Sequence, residues 1–272
     1  MKQLPVSVFL TLSLSPVLAL AVSPWSTEAQ QDPTTELSKH WGEDSIPNVR
    51  LNLKEADRKN GGGFTKVMYH LENSGFPAGK SYTVWMKQSG DQKIIPFISG
   101  YSADASGKLV CPPESQPATP NSSNLAIPCA KLSMPLEQFP FGIGHYHKGE
   151  PFDLAVVSTD GAVRAFARAY PFPIQAQDAK CSLTVELRAT DGNYFLVQGA
   201  GFESGKDVKI VSTSGKEVIG DSQKVSPQGE FSTTVLPAVK GKDSGSFNFT
   251  ATGASCRPSV TFEWGRAAMK IQ

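Results

Sequence analysis

Gly201-Phe202-Glu203-Ser204-Gly205-Lys206 repeats the pattern of Gly75-Phe76-Pro77-Ala78-Gly79-Lys80, 126 residues earlier (201 minus 75). Each copy leads into an alternating run and then a Ser-Gly turn: Tyr82, Val84 and Met86 before Ser89-Gly90, and Val208, Ile210 and Ser212 before Ser214-Gly215. Side chains two apart share one face of a strand, so each copy reads as a turn feeding a strand. Two weaker correspondences follow the same order. Asp104-Ala105-Ser106-Gly107-Lys108-Leu109 resembles Ser226-Pro227-Gln228-Gly229-Glu230-Phe231, and Lys148-Gly149 resembles Lys240-Gly241. A turn-and-strand unit repeated at this spacing predicts two related β-domains in tandem.

Outward from these turns, alternation continues through Val49, Leu51 and Leu53, then Thr65, Val67, Tyr69 and Leu71, with Gly61-Gly62-Gly63 between them. Further runs are 94–98, 152–158 and 163–170, with Asp160-Gly161 as a hairpin turn. Pro171 and Pro173 end the last of these, and 171–180 reads as a short interdomain linker. Beyond it, Leu183 to Leu187, Tyr194 to Val197, Val208 to Ser212, Phe231 to Val235, Phe247 to Ala251 and Val260 to Trp264 alternate between turns. Many short strands with regular turns predict an all-β sandwich architecture. The expected layout is a first sandwich over 45–174, a second over 175–265 and a short tail at 266–272. Relative to the second, the first carries an insertion over 111–147, rich in Pro, Ser and Asn, which makes it the first candidate for a binding surface.

The start of the chain sets an expected compartment. Lys2, an uncharged apolar stretch from Val6 to Leu20 and Ala19-Leu20-Ala21 have the layout of a secretory signal peptide over 1–21. Residues 22–44 are polar and read as a flexible leader. The 272-residue chain has 26 basic and 25 acidic side chains, and loss of Lys2 balances them. A neutral chain without a basic run argues against nucleic acid or anionic lipid as partner, and no membrane insertion is expected after cleavage. Four cysteines suit an oxidising compartment, secreted or periplasmic. Three pairings are possible. Cys111 with Cys129 and Cys181 with Cys256 is preferred because each pair then stays within one domain.

A resemblance adds to this reading. Gly199-Ala200-Gly201-Phe202, followed by Gly205-Lys206, Val208, Ile210 and Ser212, is similar to the opening of IPT/TIG-type immunoglobulin-like domains. It covers the first half of the second domain and, more faintly, residues 74–84 of the first. Ser204 stands where that pattern commonly has Pro. The resemblance implies two tandem immunoglobulin-like β-sandwiches and carries no catalytic residues with it.

Candidate chemistry is sparse. His145 and His147, if extended, would face one way and could chelate a Cu²⁺, Zn²⁺ or Ni²⁺ ion, with His70, Glu150 or Asp153 as a third ligand. The competing reading is two surface histidines in a loop. No Gly-x-Ser-x-Gly is present and no carboxylate pair stands out, so no enzyme and no cofactor are expected. Arg164, Phe166, Arg168 and Tyr170 alternate with Val163, Ala165, Ala167 and Ala169. One reading turns Phe166 and Tyr170 to the core, while the other makes the four a stripe for a carboxylate or sugar. Trp85 and Trp264 read as core. Asn121 and Asn248 match the glycosylation acceptor pattern. The expectation is a non-enzymatic binding or structural protein of the cell envelope with an unknown protein or glycan partner. A small periplasmic metal-binding protein is the alternative.

Overall fold

The computed structural model describes residues 33–87, 93–113 and 126–272. The first sandwich is built from β1 (Arg50–Gly61), β2 (Phe64–Ser74), β3 (Ser81–Lys87), β4 (Ile94–Ala103), β5 (Leu109–Val110), β6 (Ile127–Pro128), β7 (Phe141–Ile143), β8 (Phe152–Ser158) and β9 (Arg164–Ala169). One sheet has the order β1-β2-β7 and the other β5-β4-β3-β8-β9, with β6 lying parallel beside β4. The second contains β10 (Ile174–Asp178), β11 (Cys181–Leu187), β12 (Phe195–Ala200), β13 (Asp207–Ser214), β14 (Glu217–Lys224), β15 (Phe231–Val235), β16 (Ser244–Thr252) and β17 (Ser259–Gly265). Its sheets run β10-β11-β12-β15 and β14-β13-β16-β17.

With β5, β6 and β10 set aside, both sandwiches share one order. The first, second and fifth strands form one sheet, and the fourth, third, sixth and seventh form the other, an immunoglobulin-like arrangement. The sequence repeat is the lock that joins those sheets. Phe76 N–H donates to Gly107 O at 3.1 Å, and Phe202 N–H donates to Gly229 O at 3.0 Å. Gly75 and Gly201 sit at φ 78° and 80°, and a Cβ there would come within 2.1 Å of Asn48 O and 2.0 Å of Lys180 O. Only glycine lets the turn pass that close to the neighbouring strand. Phe76 and Phe202 then enter their cores, edge-on to Tyr82 and Phe231 respectively, each at 5.2 Å.

Several elements differ from the sequence reading. The 111–147 insertion is not a strandless loop. It supplies β7, which completes the smaller sheet of the first sandwich, and its Leu136, Phe141, Ile143 and Tyr146 are buried in that core. Residues 114–125 lie outside the described residues. The preferred cysteine pairs are the ones formed, Cys111–Cys129 and Cys181–Cys256. The expected linker shortens to 171–173, because Ile174 to Asp178 pairs with β11 as an edge strand.

The polar leader over 22–44 is also structured where it is described. Helix α1 (Pro33–Lys39) sets Leu37 against Trp85 and Ala155 on the outer face of the large sheet. Trp41 packs edge-on to Phe166 at 5.3 Å. Asp44 and Ser45 then hydrogen-bond the β9 backbone at Phe166 and Arg164, which covers that sheet edge. The tail over 266–272 returns to the first sandwich. Thr65 N–H donates to Gln272 O at 3.0 Å, Gln272 N–H donates to Tyr146 O at 3.2 Å, and His147 bridges Ile271.

Candidate functional site

Strand alternation aims Phe152, Leu154 and Val156 of β8 into the core and leaves Asp153 on the outer face. On β9 it sends Val163, Ala165 and Ala167 inward. This overturns the reading that put Phe166 and Tyr170 in the core. The Arg and aromatic side chains lie outside because the small residues are what fit between the sheets. They are nevertheless partly covered, by the leader on one side and by the second sandwich on the other.

The cover is an ion cluster that ties three segments of chain. Arg168 grips Asp153 with two bonds, Nε to Oδ1 at 2.7 Å and Nη2 to Oδ2 at 2.8 Å, and reaches Glu186 Oε2 of β11 at 3.0 Å. Glu186, 1% exposed, also accepts from Tyr170 Oη at 2.9 Å and pairs with Arg188 Nε at 2.8 Å. Trp41 Nε1 donates to Asp153 at 3.3 Å. Burial works to lower the Arg168 pKa, but the bond to Asp153 and the charges of both acids outweigh it and hold the guanidinium well above its usual range. Burial, with the Glu186 charge, pushes Tyr170 up to about 12, and burial depresses Lys87. Two carboxylates meet two guanidiniums here, with Lys87 as a further nearby cation, and both acids are bonded. Such a network holds its segments in one arrangement. Beside it, Leu187 N–H donates to Gly149 O at 2.9 Å, joining the two sandwiches through backbone, and Gly149 N–H is held by Phe172 O at 2.8 Å within the first.

Tyr170 also stands at one margin of a groove on the outer face of the β10-β11-β12-β15 sheet, with a cavity volume of about 650 Å³. Its floor follows from the register. Gln175 lies opposite Thr184, Thr184 opposite Gln198, and Gln198 opposite Ser232, so one rung of amides and hydroxyls crosses all four strands. Ser182 and Ala200 form a smaller-sided rung beside it, and Lys224 and Glu230 supply one charge of each sign. Among the described residues, the side chains of Gln175, Thr184, Gln198 and Ser232 make no hydrogen bond to protein, whereas a row on β16 and β17 of the opposite sheet bonds within itself. There Asn248 donates to Thr261 at 2.9 Å and to Ser259 at 3.2 Å, and Thr250 meets Ser259 at 2.8 Å. That row is satisfied internally, while the rung in the groove is open.

The histidine pair does not assemble. The extended segment that would align the rings is absent: His145 has φ 60° and stacks on Phe64 at 4.2 Å. His147 is held by its backbone, which donates to Glu150 Oε2 at 2.9 Å, and its Nδ1 is buried without a hydrogen bond. Asp153, a proposed third ligand, is engaged by Arg168. Among the described residues no group of three or more His, Cys, Asp or Glu is placed to hold a metal ion. Trp264 is in the second core, while Trp85 is buried under α1 instead. Asn248 spends its amide on Ser259 and Thr261, and Asn121 lies outside the described residues. The groove itself escaped the sequence reading. Its only signal was the polar half of the alternation in β11 and β12, which solvated strands also show.

No protein-family description and no curated protein matches the chain. Among solved structures, it is similar to a tetra-tandem repeat from the extending region of a large adhesion protein, at 12% identity and a TM-score of 0.22, over 80% of this chain and 49% of that one. The chain thus spans about half the length of that protein's chain. It is similar also to the chicken interferon gamma receptor alpha chain, at 6% identity and a TM-score of 0.23, over 74% of this chain and 92% of that one. At these scores neither likeness carries an argument, and the immunoglobulin-like order rests on the strand pairings. No helix among the described residues is long and apolar enough to cross a membrane.

Proposed function

We propose that this chain is an exported, non-enzymatic binding protein, secreted or periplasmic, whose ligand surface is the open groove of the second sandwich. The observation that carries this reading is the Gln175–Thr184–Gln198–Ser232 rung, whose side-chain donors and acceptors have no protein partner and lie together in one concavity, whereas Asn248, Thr250, Ser259 and Thr261 on the opposite sheet satisfy one another. Binding sites are concave and carry a few convergent polar groups, so an unpaired polar row gathered in a concavity is available to a ligand. The ion cluster supports the reading by holding the first sandwich against the groove margin at Tyr170. Two disulfides fit an oxidising compartment, and the repeated Gly-Phe turn is the feature shared with IPT/TIG-type modules.

The test fills the groove. Ser232→Trp places a large ring on an exposed floor position and leaves both cores intact. The unmodified protein is expected to co-sediment with envelope material from its source and the variant to remain in solution with an unchanged melting temperature. Equal sedimentation of both would overturn the groove as the binding surface.

A further inference from the structure

Resting on that reading, we infer that the groove takes a neutral oligosaccharide. Three properties of the lining lead there. First, the rung is made of amides and hydroxyls, each able to donate and accept, which suits a ligand whose own groups do both. A polyhydroxylated chain is such a ligand. Second, the charged side chains at the rim are Lys224 and Glu230, which balance, so the lining offers no excess of charge to an anionic polymer or a basic peptide. Third, the floor of the groove carries no large exposed apolar side chain for a protein interface to anchor on, since Phe231 is buried beneath it and 6% exposed and Tyr170 stands only at the margin.

The dimensions agree. Four strands spaced about 4.8 Å apart give a rung of roughly 14 Å, long enough for several sugar units in a row. Ser182 and Ala200 are small, which leaves depth beside the long Gln175 and Gln198 arms. Tyr170 supplies the aromatic edge. Its hydroxyl is fixed by Glu186, so its ring is held in place before a ligand arrives. The aromatic edge is thus fixed before binding, and the ordering cost falls on the exposed Gln175 and Gln198 arms.

The experiment is an array of immobilised neutral and carboxylated oligosaccharides probed with the full chain, beside the double variant Gln175→Ala/Gln198→Ala and a Thr213→Ala control on the opposite face. The expected result is binding to a subset of neutral glycans, weakened roughly tenfold or more in the double variant and unchanged in the control, with equal melting temperatures. Binding to carboxylated glycans alone, undiminished binding by the double variant, or a silent array would each overturn the inference. A silent array together with envelope sedimentation still blocked by Ser232→Trp would retain the groove and remove the sugar. If Ser232→Trp also sediments normally, both fall.

Discussion

At the scale of single residues, the repeated glycine is where the sequence is most exacting. Gly75→Ala forces a Cβ to 2.1 Å from Asn48 O, a backbone atom with no rotamer to turn away, so the turn and the strand must part. Gly79 has a similar positive φ, but no atom lies within 4 Å of where a methyl group would sit. Gly79→Ala should cost only the left-handed penalty, about 1–2 kcal/mol, while Gly75→Ala should cost roughly 3 kcal/mol or more. Urea titration of the two variants would check the ordering, and equal losses would show that the close approach is relieved cheaply. This much was legible from sequence, because a Gly-Phe turn used twice announces a backbone constraint. The Arg168 partners were not. Alternation says that Arg168 and Tyr170 share a face, and nothing in it says that Glu186, 18 and 16 residues on, folds back to meet them.

At the scale of elements, the two disulfides close loops of different length, with sequence separations of 18 and 75. The loop-entropy relation gives about 3 kcal/mol for the shorter and about 4 kcal/mol for the longer. The Cys181→Ala/Cys256→Ala variant should therefore unfold at lower denaturant than Cys111→Ala/Cys129→Ala, read by equilibrium denaturation of each. The reverse order would indicate that the insertion depends on its staple more than entropy requires. Here legibility was uneven. Strands with one buried face showed their alternation plainly, whereas β14, eight residues and almost wholly exposed, carries no apolar period and was not read as a strand. Strand β7 is three residues, Phe141–Ile143, too few for a period of two to stand out from a Pro-rich neighbourhood, so the insertion passed for a loop. Helix α1 was hidden for a related reason: seven residues with one buried leucine carry no helical period.

At the scale of the whole molecule, buried phenols set the alkaline limit. Burial raises Tyr69, Tyr82, Tyr101 and Tyr170 from the ordinary 10.0 to about 12, helped in Tyr69 by Glu55, in Tyr82 by Asp160 and in Tyr170 by Glu186. A folded-state pKa above the unfolded one means that the unfolded chain loses its proton first as pH rises. The stabilisation is thus complete below pH 10 and disappears as pH climbs through about 12. The melting temperature should hold up to about pH 10 and drop between about pH 10 and 12, with phenolate absorbance appearing together with unfolding. Tyr101 Oη is buried without a hydrogen bond, so Tyr101→Phe should blunt the alkaline drop at little cost near neutrality. Phenolate formation well before unfolding would refute this account. The groove belongs to this scale as well. It is assembled from four strands and the end of β9, and strand order, which sequence alternation does not encode, decides that Gln175, Thr184, Gln198 and Ser232 fall in one row.

The return of the chain end to the first sandwich has a kinetic consequence. Thr65 and Gln272 are 207 positions apart (272 minus 65), yet they share a backbone hydrogen bond. Closing so long a loop gains nothing until the pieces between have condensed. Each sandwich can collapse on its own short-range hairpins, whereas the seam at Thr65, Tyr146 and Gln272 can form only once both exist. Refolding should therefore end in a unimolecular step that follows core formation. Deletion of Lys270 to Gln272 should abolish that step and leave the earlier ones at their former rates.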